Sequence, residues 1–266
     1  MSISAKDIIG NYELVRRQAP LVHNITNYVV MNLTANALLA AGASPVMAHA
    51  PEEVEDMVAI ASALVINIGT LSEHWVEAML KAARQAKIKG IPIVYDPVGV
   101  GATPYRTRTI HELLQTAAPA ILRGNASEIM ACAGGGAGTK GVDSAAAAEA
   151  ALDSARRLNE EYGCVVCVSG ATDHVVGQNH TAMIANGHPM MARITGLGCT
   201  ATALCGAFAA VNPDSFAATV SAMTVMGIAG EMAAKKAKGP ASMQVEFLDA
   251  LYNITGNDIE QRLKIS

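Results

Sequence analysis

"ALVINIGT", residues 63–70, decides the fold. Its first four positions are apolar without a break, so no alternation reserves a polar face for water, and the run stops abruptly at Asn67, Gly69 and Thr70. A strand of that kind is covered by helices on both sides, as in a parallel sheet. Three more runs share the pattern: "IPIVYDP" 91–97, "APAILRGN" 118–125 and "GCVVCVSG" 163–170. Longer segments of helical character lie between and around them, at 28–41, 72–89, 144–161, 199–211 and 214–237. Short apolar strands alternating with helices predict an α/β fold, parallel strands being joined by crossover helices.

Working outward, "NYVVMNLTANALLAAG" 27–42 reads as a helix with an N-cap at Asn27 and a stop at Gly42. "HVVGQNHTAMIANG" 174–187 reads as a small antiparallel hairpin added to the sheet, and "GGGAG" 134–138 as a flexible loop. With no linker-like segment and no internal repeat, the 266 residues are expected to form a single domain, 1–266.

Composition narrows the function. A net charge of −4 and only 16% charged residues argue against nucleic-acid or anionic-membrane binding, and 4% aromatic residues against a stacking platform. A small-molecule partner fits better. Five cysteines, an odd number without a disulfide-like pattern, point to a reducing compartment, and the cytoplasm is the expectation. The first twenty residues lack a signal-peptide core, and no stretch reads as the roughly 18 uncharged apolar residues of a membrane span.

Ligands of open α/β sheets sit beyond the carboxyl ends of the strands, which here are "NIGT" 67–70, "DPVGVG" 96–101, "RGNASE" 123–128 and "SGATD" 169–173. To these "TGLGC" 195–199 adds a glycine turn before an Ala-rich helix, where free amides and the helix dipole suit an anion such as a phosphoryl group. The same pattern serves as an ordinary helix start. "GGGAGTKG" 134–141 misses the nucleotide-loop pattern on both sides of Lys140, and "GVGA" 99–102 lacks the dinucleotide fingerprint. Asp96, held by Pro97 at a strand tip, suits either a phosphate-bound metal ion or a turn. Asn125 and Glu128, three apart at a helix start, either support metal-bound water or cap the helix.

Cys164 and Cys167 form C-x-x-C, but in an extended strand their side chains face opposite ways, so both are expected in the core. Cys132 and Cys205 read as packing residues, and most of the seven histidines as surface or turn residues. Cys199, at a helix start, is expected to have a lowered thiol pKa. Met47 suits either the core or a sulfur-containing ring.

The blocks "PLVHNITNYVVMNLTANALLAAGASPVM" 20–47, "ASALVINIGTL" 61–71, "DPVGVGA" 96–102, "LRGNASEIMA" 122–131, "GVDS" 141–144, "TGLGC" 195–199 and "GPASMQVEFLDALY" 239–252 resemble, in order, those of the hydroxyethylthiazole kinase family of the ribokinase-like superfamily. The resemblance implies a three-layer αβα sandwich with about eight or nine mostly parallel strands. It also implies a homotrimer with active sites between subunits, and transfer of the ATP γ-phosphate, with Mg2+, to the primary alcohol of 4-methyl-5-(2-hydroxyethyl)thiazole. Carried over by position, Met47 and Gly196 would contact the thiazole, with Asn24 and Asn27 in the same pocket. Arg123, Ser169 and Gly198 would meet ATP, and Asp96 and Glu128 would support magnesium. Cys199 stands where the wider superfamily usually has an aspartate base. Two departures are Leu197, where a smaller or hydroxylated residue is common, and "GPAS" in place of "GPGS". The competing readings are a kinase of another small alcohol, such as a pyrimidine or pyridoxine vitamer, a hydrolase with Cys199 as nucleophile, and a sensor without turnover.

Overall fold

A computed structural model describes residues 3–135 and 144–266, with the side chains of 144–146 left aside. The loop expected at 134–138 and the "GGGAGTKG" and "GVDS" blocks lie wholly or partly outside the described residues. The strands are β1 (Leu21–Ile25), β2 (Ser44–Val46), β3 (Ala63–Asn67), β4 (Ile93–Asp96), β5 (Ile121–Asn125), β6 (Val165–Ser169), β7 (Asp173–Val176) and β8 (Thr181–Ile184). They form one eight-stranded sheet in the order β2-β1-β3-β4-β5-β6-β7-β8. The first six run parallel; β7 and β8 add the antiparallel hairpin expected from the sequence.

Two layers of helices cover the sheet. One contains α1 (Ala5–Gln18), α2 (Met31–Ala41), α8 (Leu197–Ala209), α9 (Ser215–Lys236), α10 (Pro240–Asn253) and α11 (Gly256–Arg262). The other contains α3 (Val54–Ile60), α4 (Glu73–Lys89), α5 (Pro104–Thr116), α6 (Ala126–Cys132) and α7 (Ser144–Tyr162). Successive strand residues alternate between them. Val22, Val65, Val94, Ile121 and Cys167 pack into the α8 core, whereas Leu64, Ile66, Tyr95, Leu122 and Val166 pack into the other. Cys164 and Cys167 fall in opposite cores, as their spacing predicts.

That alternation builds the site. The α8-facing row continues at the strand ends into polar residues: Asn67 after Val65, Asp96 after Val94, Arg123 after Ile121 and Ser169 after Cys167. Over this row lies α8, pressed so close that a Cβ on Gly206 would stand 2.5 Å from Val65 Cγ2.

Two expectations need correction, and a third, for the histidines, holds with one exception. Helix α2 starts at Met31 with Val30 as N-cap and no side-chain cap, because Asn27 is engaged elsewhere; its Gly42 stop holds, at φ 97°. Among the histidines, His23 is fully buried within β1, its Nε2 2.8 Å from Ala48 O, and burial lowers its pKa. Helix α9 is long and apolar enough to cross a membrane, contrary to expectation, but most of it is buried between α8, α10 and the sheet.

Candidate active site

The turn before α8 brings the site together. Gly196 adopts φ 94°, and a Cβ there would lie 2.9 Å from Val30 Cγ1, so conformation and space both demand glycine. The helix begins at Leu197, two residues earlier than expected, and Thr200 N makes the first intrahelical bond, to Gly196 O at 2.8 Å. The amides of Leu197, Gly198 and Cys199 therefore point out of the helix end, where its dipole favours an anion.

On one side of this end is a cavity of about 530 Å3. Arg123, Ser169 and Gly198, the three residues carried over as ATP contacts, all line it, and Met191, Met223 and Met226 form its apolar wall. Arg123 Nη2 donates to Ser169 Oγ at 2.8 Å, and Ser169 Oγ donates to Gly124 O at 3.2 Å. Gly198 makes room for the guanidinium, since a Cβ there would meet Arg123 Nη1 at 3.0 Å. Arg123 Nε is buried without a partner among the described residues.

On the other side runs a hydrogen-bond chain. Asn27 Nδ2 donates to Cys199 Sγ at 3.5 Å and to Asn67 Oδ1 at 2.9 Å. Asn67 Nδ2 in turn donates to Asp96 Oδ2 at 2.7 Å, which also accepts from Thr202 Oγ1 at 2.9 Å. Asn24 stays outside this chain. It is fully buried, donates to Val22 O at 2.9 Å, and leaves Oδ1 without a partner among the described residues. Met47 is half-buried one residue past β2, at the same end of the sheet.

The acidic groups are tuned by this setting. Burial first, then the charge of Glu128, pushes the Asp96 carboxyl up to about 6, against the pull of Arg123 and its two hydrogen bonds. Cys199 goes the opposite way from expectation: burial and the Asp96 charge push its thiol up to about 11, outweighing the downward pull of the neighbouring Asn67 and Asn27 amides. The helix end does not make it a thiolate.

Glu128 does what a capping residue does. Its Oε2 accepts from Asn125 N at 2.8 Å while Asn125 Oδ1 accepts from Glu128 N at 3.0 Å, closing a capping box. Its Oε1 accepts from Gly99 N at 2.9 Å, tying α6 to the loop after β4. Each carboxylate oxygen offers two acceptor positions, so these bonds leave capacity on Glu128, and Asp96 Oδ1 takes no part in the bonds above. Hard oxygen donors beside a helix end whose dipole favours an anion fit Mg2+, which keeps several waters and shares phosphate oxygens. Among the described residues no group of three or more His, Cys, Asp or Glu forms a protein-only metal cage.

Two residues of the site escaped the sequence reading. Asn67 was visible only as the polar end of an apolar run. Arg106 fastens two strand ends together: Nη1 donates to Ile68 O and Val98 O at 2.6 and 2.7 Å, and Nη2 to Gly69 O at 2.7 Å.

The fold and site define a ribokinase-like α/β protein whose candidate site gathers at the start of a helix. A ribokinase-like superfamily protein from Enterococcus faecalis shares the fold at TM-score 0.66 and 13% identity, covering 95% of each chain. The hydroxyethylthiazole kinase family model matches residues 12–257, and the chain belongs to that family. A hydroxyethylthiazole kinase of Syntrophus aciditrophicus is 59% identical over 266 residues, covering 100% of this chain and 98% of that one. One from Leptospira biflexa is 56% identical over 97% of both. The solved hydroxyethylthiazole kinase protein of Pyrococcus horikoshii superposes at TM-score 0.91 with 46% identity over 98% of both chains.

Proposed function

We propose that residues 1–266 act as one kinase domain that transfers the ATP γ-phosphoryl group to the primary alcohol of 4-methyl-5-(2-hydroxyethyl)thiazole, supplying the thiazole phosphate for thiamine salvage. The observation that carries this reading is the α8 N-terminus, whose three free amides stand between the Arg123 cavity and the Asn27–Cys199 chain. A polyphosphate in the cavity, against Arg123, Ser169 and Gly198, would present its terminal group to those amides. Phosphoryl transfer needs positioning and charge neutralisation more than covalent chemistry, and the helix end supplies both.

Mg2+, held by Asp96 with Glu128, would neutralise charge on the phosphates. The thiazole would lie on the opposite side, near Met47, Gly196, Asn24 and Asn27, with its alcohol beside Cys199. At neutral pH a thiol near 11 is protonated, so Cys199 lines the site and does not serve as a ready-made base. Its recorded partner is an amide and not an imidazole, which speaks against the hydrolase reading. Tyr28 and Val29, next to Asn27, are large and exposed, and support the expected homotrimer with sites between subunits. All five cysteines are free, in keeping with a cytoplasmic location.

The test is incubation with Mg-ATP and the thiazole alcohol, with thiazole phosphate and ADP followed by mass spectrometry. Stoichiometric formation of both is the expected result. ADP release with a pyrimidine or pyridoxine alcohol but not with the thiazole would replace the substrate, and binding without turnover would make the protein a sensor.

A further inference from the structure

We propose that Asn67 is a positioning residue that locks the acceptor side and the phosphoryl side of the site into one hydrogen-bond polarity. The argument starts from a group that cannot change role. Gly69 N–H donates to Asn67 Oδ1 at 2.9 Å, and a backbone N–H can only donate. The Asn67 amide is therefore unable to flip. Its Oδ1 is fixed towards Gly69 and its Nδ2 towards Asp96 Oδ2, at 2.7 Å.

The direction then propagates. Asn67 Oδ1 faces Asn27 at 2.9 Å, so Asn27 must present its NH2 and not its oxygen. An NH2 has two hydrogens, and Cys199 Sγ, 3.5 Å away, receives the second. The sulfur is thereby fixed as an acceptor towards Asn27, and its own S–H is left to point at whatever occupies the acceptor side. Asn27, Asn67 and Asp96 are 4%, 1% and 1% exposed, so no bulk water competes for these bonds. A Cβ on Gly69 would stand 2.5 Å from Asn27 Nδ2, which shows how closely the loop is fitted around the Asn27 amide. One amide thus accepts from the acceptor side and donates to the carboxylate beside the phosphoryl side. Neither leucine, which has the shape, nor aspartate, which has only acceptors at neutral pH, can do both.

The kinetic consequences rest on the phosphotransfer reading above; the chemical consequence at Cys199 does not. Two variants separate the arms. Asn67→Asp keeps the bonds from Asn27 and Gly69 and sets two carboxylates against each other, so kcat should fall at least tenfold while KM for the alcohol stays within about threefold. Asn67→Ala frees both neighbours, so KM for the alcohol should also rise, by about tenfold, with KM for ATP nearly constant. The second readout is alkylation of Cys199, half-buried where the other four cysteines are buried, by iodoacetamide, followed by peptide mass spectrometry. Loss of the Asn67 amide and of the Asn27 donor it pins, both of which favour the thiolate, should slow this reaction about threefold or more at about pH 8 in Asn67→Ala. Wild-type alkylation together with an unchanged alcohol KM in folded Asn67→Ala would overturn the proposal. If that variant does not fold, Asn67→Asp decides it: a raised alcohol KM with unchanged kcat is the overturning result. If the wild type phosphorylates no thiazole alcohol, the kinase reading fails by itself, and the alkylation contrast still decides the role of Asn67.

Discussion

On the Arg123 side of the α8 N-terminus the chain shapes an open-mouthed cavity of about 530 Å3 from its own residues, whereas on the Asn27 side it ends in Tyr28 and Val29, 64% and 67% exposed. The walls differ as well. Methionines, which adapt to irregular shapes, line the first, and a chain of buried amides with fixed direction underlies the second. On the first side, recognition in the proposed reading rests on the shape of the cavity. On the second it is stored in hydrogen-bond direction, and closure is left to whatever covers Tyr28 and Val29, which in the proposed trimer is another copy of the chain.

Asp96 belongs to both sides, so its replacement gives the largest effect. Asp96→Asn should cut kcat about 10³-fold, the order of losing one preorganised charge at a phosphoryl group. Stability should move differently. The folded carboxyl sits near 6 against an ordinary 3.8, so the folded state binds its proton more tightly than the unfolded chain does. The resulting stabilisation is present at low pH and is lost as pH rises from about 4 to about 6, amounting to about 3 kcal/mol. Asparagine can still accept from Asn67 and Thr202 through its carbonyl. The variant should therefore melt no lower than the wild type near neutral pH and lose the decline between about pH 4 and 6. Thermal unfolding across that range checks it, and a lower melting point at neutral pH would contradict the account.

The next effects separate the two sides. Gly69→Ala places a methyl 2.5 Å from Asn27 Nδ2 and must displace that side chain. It should raise KM for the alcohol by about 10- to 100-fold, in line with an overpacking cost of 1–3 kcal/mol, and leave KM for ATP unchanged. Arg123→Ala should do the reverse, raising KM for ATP by about tenfold with the alcohol unaffected. Steady-state kinetics varied in each substrate would show the contrast, and equal changes in both constants would erase the distinction between the sides.

How far the sequence announced these features depended on the residue. The strands β3, β4, β5 and β6 were legible because burial on both faces leaves an unbroken apolar run. β1 was not among them, since His23 and Asn24 interrupt its pattern, nor was β2, three half-buried residues long. Arg123, Ser169 and Gly198 were named from a resemblance and fall around one cavity. Asn67 carried a usable signal: it has the parity of Val65, like Asp96 with Val94, and a polar residue at that parity must bond over the sheet. Arg106 carried none, because its partners are backbone carbonyls of two loops that only the fold brings together. The thiol of Cys199 was misjudged for a similar reason. A helix start is visible in sequence, while the burial and the Asp96 charge that overrule it come from distant strands.

The smallest effect is expected at Cys199, and it tests which side of the helix end the residue serves. In Cys199→Asp a carboxylate would take the place of the sulfur opposite Asn27 Nδ2, and the same burial and Asp96 charge that raise the thiol would raise its pKa above the ordinary aspartate value. A carboxylate raised towards neutrality is better matched to accept an alcohol proton than a thiol that stays protonated. Activity should accordingly be retained or should rise by no more than about tenfold, with a new acidic limb in kcat/KM that the wild type lacks. KM for ATP should not move, because the change lies on the Asn27 side. A folded Cys199→Asp enzyme at background activity would mean that the S–H left free by Asn27 donates a bond the reaction requires, and the sulfur would then belong to the machinery and not to the lining.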